Sequence, residues 1–109
     1  SKTDKPSLAV APKVLQTAQD YVDRVYRPAQ LAYAEVRAFE SQQPVQVTLT
    51  AQEAALLGRN AGTQWQALTG VEQERVAVAR RVAFQRAEAH VHEQTGFIDV
   101  VREFVSVVE

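Results

Sequence analysis

Apolar side chains recur at helical intervals along most of this chain. Between Pro12 and about Gln42 they fall at Val14, Ala18, Tyr21, Val25, Ala29, Ala32, Val36 and Phe39. The steps are 4, 3, 4, 4, 3, 4 and 3, one stripe on a helix. Pro12 suits the first turn of such a helix, where a missing N–H costs nothing. Pro28 interrupts it, and an interior proline costs roughly 3 kcal/mol through a lost backbone bond and a clash with the preceding turn. The stripe nevertheless stays in phase across Pro28, and Arg27 is a poor N-cap for a new helix. The spacing therefore predicts one long helix over about 10–42, kinked at Pro28.

Ser41-Gln42-Gln43-Pro44 ends that pattern, and Val45, Val47 and Leu49 then alternate with Gln46 and Thr48. With no second strand to pair it, 45–49 reads as a short extended connector. Thr50-Ala-Gln-Glu53 and Thr69-Gly-Val-Glu72 each spell a capping box, in which the threonine oxygen takes the N3 amide and the glutamate reaches back. Leu49 and Ala54 stand in hydrophobic-staple positions around the first box. Helices are expected at 51–68, weakened by Gly58, Asn60 and Gly62, and at 70–95, closed by Gly96 with Phe97 packing back on Val91.

The 70–95 helix carries two apolar stripes, Val71, Val78, Val82 and Ala89 on one side and Val76, Ala83, Ala87 and Val91 on another, so it is expected to touch neighbours on both. Glu74, Arg81, Glu88 and His92 line the face between. A last helix at 97–108 puts Phe97, Ile98, Val101, Phe104, Val105 and Val108 on one face, which Val100 and Val107 widen to about half the circumference. The expected fold class is all-α: a small up-and-down helical bundle of three to four helices. It forms a single helical domain at 8–109 behind a flexible tail at 1–7.

Composition narrows the function classes. With 109 residues, 46% hydrophobic and 23% charged, the chain suits one globular domain. A formal net charge of −1 lacks the basic excess that phosphate binding requires, so no nucleic acid is expected as partner. Arg75, Arg80, Arg81 and Arg86 point in different directions and alternate with glutamates, which reads as a solvated, salt-bridged face. The Thr50 segment opens like a helix-turn-helix, but no helix with suitably exposed Arg, Asn or Gln follows it. No apolar run approaches the ~18 residues that span a bilayer, so no membrane insertion is expected. The opening Ser-Lys-Thr-Asp-Lys-Pro shows no targeting segment, and the compartment stays open between cytoplasm and periplasm.

Candidate chemistry is sparse. Cysteine is absent, which removes disulfides, thiol catalysis and thiolate metal sites. His90 and His92 lie on different sides of a helix; Glu88 and His92, four apart, form the one pair able to grip a metal, and zinc needs a third or fourth ligand. Ser7, Ser41 and Ser106 have no general base at helical spacing, and the four glycines form no phosphate loop. The chain is therefore expected to be no enzyme and to need no cofactor. The function expected is a helical protein–protein interaction or assembly module, self-associating as a homodimer. Its contact residues would be Phe97, Val101, Phe104, Val105 and Val108, with Tyr26 and Tyr33 second. A first helix of ~45 Å would overhang a compact body of ~13 Å radius of gyration, which also favours a second copy as cover. The alternative is a small-ligand or metal-binding bundle.

Overall fold

The computed structural model describes residues 6–108, and the side chains of 6–12, Val105 and Val108 fall outside that description. The tail expected at 1–7 therefore lies mostly outside it, and helix is already present at Pro6. The fold is all-α, with α1 at Pro6–Tyr21, a π-helical turn at Val22–Tyr26, α2 at Arg27–Glu40, α3 at Ala51–Leu56, a 3₁₀ turn at Trp65–Ala67 and α4 at Gly70–Val108. It divides into two compact units, Ser1–Pro28 with Gln85–Glu109, and Ala29–Phe84.

Helical bonding passes through Pro28 without a break. Pro28 can donate nothing to the Arg24 carbonyl and its ring crowds that oxygen. The turn before it widens, so that the Arg27 amide donates to the carbonyl of Val22. An extra residue in one turn shifts the angular phase of the side chains around it. Val25, expected in the stripe, is consequently 43% exposed, while Val22 and Tyr26 are half-buried.

The Ala29–Phe84 unit holds most of the core. Val36 of α2, Val47 and Leu49 of the connector, Trp65, Leu68 and Val76 pack as one cluster, with Phe39 and Leu57 against it. Residues 45–49 are extended as the alternation predicts, and a single antiparallel bridge joins Thr48 to Gln64. Both capping boxes form: the Glu53 amide donates to Thr50 Oγ1 at 3.1 Å and the Thr50 amide to Glu53 Oε1 at 2.9 Å, with the same pair of distances at Thr69 and Glu72. Leu49 and Ala54 are both buried beside the first box.

Two expected boundaries are corrected. The helix expected over 51–68 stops at Leu56, because Gly58 and Gly62 take φ of +69° and +87° and turn the chain back. The Thr63 hydroxyl closes that turn on the carbonyl of Asn60 at 2.7 Å. Conversely, Gly96 does not end a helix. Its φ is not positive, α4 runs through it, and the helices expected at 70–95 and 97–108 are one. A single glycine costs about 1 kcal/mol in a helix, and the stripe of Val91, Ile98 and Val101 stays half-buried and in phase across it. Phe97 does not fold back on Val91 but is 57% exposed.

Of the two stripes on α4, one has Val76 and Ala87 buried, Val91 half-buried and Ala83 exposed, while the other has Val78 and Val82 half-buried and Val71 and Ala89 exposed. In the Ser1–Pro28 and Gln85–Glu109 unit, α1 and the C-terminal half of α4 run antiparallel. The Tyr21 and His90 rings meet at 4.3 Å, and Val14 and Ala18 line the same groove as Gln94 and Ile98.

Candidate functional site

The most elaborate polar arrangement in the protein centres on Arg80, which is only 5% exposed. Its position follows the inward stripe of α4, where Val76, Arg80, Phe84 and Ala87 succeed one another at steps of 4, 4 and 3. The expectation that Arg80 belongs to a solvated face is therefore wrong. Its guanidinium grips the Glu53 carboxylate with two bonds, Nε to Oε2 at 2.9 Å and Nη2 to Oε1 at 2.8 Å. Nη1 donates to the Ala32 carbonyl at 3.0 Å and to Glu35 Oε1 at 3.2 Å, and Nη2 to the Thr48 carbonyl at 2.7 Å. All five N–H donors of the side chain are thus used, and α2, the connector, α3 and α4 are tied to one cation.

The electrostatics follow from that geometry. Bonding to the Glu53 carboxylate raises the Arg80 pKa further above its ordinary value, against the opposing effect of burial. Burial pushes the Glu53 carboxyl up, but the bonds from Arg80 and from the Thr50 amide outweigh it and leave the pKa lowered. Glu53 Oε1 serves the capping box and Arg80 together. A buried bidentate pair with every donor engaged holds elements in register. It presents no free donor to a substrate.

A second clasp closes residues 57–69. Arg59 donates to both oxygens of Glu72, Nε to Oε2 at 2.9 Å and Nη2 to Oε1 at 2.7 Å. The Arg59 bonds, then that from the Thr69 amide, hold Glu72 at a pKa of about 2. Beside it, a groove of about 510 Å³ is lined by Phe39, Val45 and Trp65 together with Glu40 and Glu74. Trp65 is 2% exposed, and its buried indole N–H has no acceptor.

Glu88 and His92 lie one turn apart on α4, the first half-buried and the second exposed. Among the described residues no group of three or more His, Cys, Asp or Glu could hold a metal ion.

The proposed contact residues separate into two sets. Phe97 and Phe104 are 57% and 55% exposed, and Val100 and Val107 are more exposed still. At steps of 3, 4 and 3 they form an outward stripe on α4, roughly 120° around the helix from the inward one of Val91, Gln94, Ile98 and Val101. Val101 is half-buried on that inward stripe. Tyr26 is half-buried and engaged within the chain. Tyr33 stacks on Phe84 at 5.8 Å, with the Arg37 guanidinium over its ring. Val105 and Val108 lie outside the described side chains.

Sequence reasoning missed Arg80, and it placed Val100 and Val107 on the terminal apolar face without counting them among the contact residues. The signal for Arg80 was a charged residue in phase with buried neighbours. For the valines it was their spacing from Phe97 and Phe104. No helix among the described residues is long and apolar enough to cross a membrane. Compared with protein families, curated proteins and solved structures, the chain returns no match.

Proposed function

We propose that this protein is a non-enzymatic helical association module that binds protein through the outward face of the C-terminal half of α4. One observation carries the reading: Phe97, Val100, Phe104 and Val107 stand open on successive turns of one helix. Scattered apolar residues on a surface need no explanation, but a contiguous stripe of this kind marks an interaction site. Large aromatic rings supply contact area at little entropic cost, which makes Phe97 and Phe104 the anchors. The densest polar network, around Arg80, is saturated within the fold and is structural in this reading.

A photo-crosslinking residue placed at Val100 in cells tests the proposal. Illumination is expected to give covalent protein adducts at Val100 and none at His92, on another face of the same helix. An absence of adducts at Val100 overturns it.

A second reading, small-ligand binding, is favoured by the groove beside Trp65 and the unsatisfied indole N–H of that residue. A ligand selective for the folded state raises its melting temperature. Thermal melts with a metabolite mixture separate the two readings: only ligand binding gives a rise in the wild type that Trp65→Phe abolishes.

A further inference from the structure

We infer that the groove beside Trp65 is a binding site for a small organic cation, an amine that also carries an oxygen acceptor. This rests on the second reading above and names the class of its ligand; it does not involve the open stripe on α4. The groove lies wholly within the Ala29–Phe84 unit, where the C-terminal end of α2 comes beside the first turns of α4. Its volume of about 510 Å³ suits a small molecule. Polarity runs through it in one direction. Trp65 is 2% exposed, Phe39 and Val45 are half-buried, and Glu40 and Glu74 are exposed, so aromatic and apolar side chains form the floor and carboxylates the rim.

The rim is acidic without compensation. Among the described residues the ion pairs engage Asp23, Glu35, Glu53 and Glu72, which leaves Glu40 and Glu74 without a cation. No lysine or arginine stands among the described residues of the lining. Glu40 also ends α2, and the carbonyl end of a helix favours positive charge. The opposite end of a helix, here that of α4, favours negative charge, and Glu72 in its first turn already supplies it. The floor has a different need. Among the described residues only Trp65 Nε1 and Gln94 Oε1 are buried side-chain polar atoms without a partner, and Trp65 lines this groove. An indole N–H can only donate, and a buried donor left unpaired is unfavourable, so an acceptor is what completes it. Phe39 meets Trp65 edge to face, ring centroids 6.1 Å apart, and gives a carbon skeleton an aromatic wall. One molecule meets both demands when its oxygen lies toward the floor and its ammonium reaches the rim.

Trp65 is the only tryptophan of the chain, so its indole N–H gives a single NMR cross-peak that reports on this groove. Tyramine, with an ammonium, a ring and a phenolic oxygen, is the probe. It is expected to move that cross-peak saturably, and para-ethylphenol, which lacks the charge, should bind at least about 2–5-fold more weakly. Phenethylamine, which lacks the oxygen, should bind with a smaller displacement of the indole peak at saturation. Glu40→Gln and Glu74→Gln change exposed side chains and should each weaken tyramine by about 2–5-fold, with the helical circular dichroism unchanged. Equal binding of tyramine and para-ethylphenol, or tyramine binding unaffected in the double variant, overturns the cation. An equal displacement by phenethylamine overturns the acceptor. No saturable shift with tyramine overturns the proposal, whereas the ligand reading itself fails only when the metabolite mixture gives no rise in melting temperature that Trp65→Phe abolishes.

Discussion

Arg80 has every donor committed to an acceptor within the fold, so substituting it strands the Glu53 carboxylate and two backbone carbonyls at once. Removing one member of a buried ion pair typically costs about 3–5 kcal/mol. Arg80→Met is expected to lower the unfolding free energy by about that much in urea titration. Arg80→Lys should restore little, because an ammonium cannot span both carboxylate oxygens and reach two carbonyls. Thr50→Ala should cost about 1 kcal/mol through the lost cap. The two depressed carboxyls set the acid limb of stability. Glu53 and Glu72 bind protons more weakly folded than unfolded, so below the usual carboxylate range the unfolded chain takes up more protons. Their contribution is present above the unfolded carboxylate pKa and is lost as pH falls toward about 2, where Glu72 titrates in the fold. Melting temperatures between pH 6 and pH 2 should fall steadily, and Glu72→Gln should flatten the lower part of that fall.

At the scale of elements, what is encoded locally was readable and what depends on neighbours was not. Both capping boxes are four-residue patterns whose bonds close on themselves, and they form as spelled. The alternation of Val45, Val47 and Leu49 also predicted the connector, two of whose side chains are buried. Gly58 and Gly96 are the same residue with opposite outcomes. At Gly58 the chain adopts a positive φ and α3 ends, while at Gly96 the inward stripe continues in phase on both sides and the helix persists. No neighbouring atom would meet a Cβ at either position. Gly96→Ala should therefore stabilise α4 by about 0.5–1 kcal/mol, whereas Gly58→Ala should destabilise through strain at positive φ. Denaturation midpoints measured side by side give the two signs, and a destabilising Gly96→Ala would mean a helix stop there after all. The π turn before Pro28 was illegible because periodicity records phase but not how a turn stretches to keep it. Arg80 was misread for a related reason. Its spacing placed it among buried residues, but its partners come from three other elements that only the tertiary arrangement brings together.

At the scale of the whole molecule, the candidate site was partly legible. Phe97 and Phe104 were readable as one apolar face, but which part of that face turns outward depends on where α1 lies. The structure splits it, Ile98 and Val101 inward and half-buried, Phe97, Val100, Phe104 and Val107 outward. The central claim is that the outward stripe serves contact and is dispensable to the fold. Far-ultraviolet circular dichroism melts of Phe104→Asp, taken beside the wild type, test it most directly. The account predicts an intact helical spectrum and a melting temperature close to that of the wild type. A Phe104→Asp chain that has lost its helical signal at room temperature would contradict it.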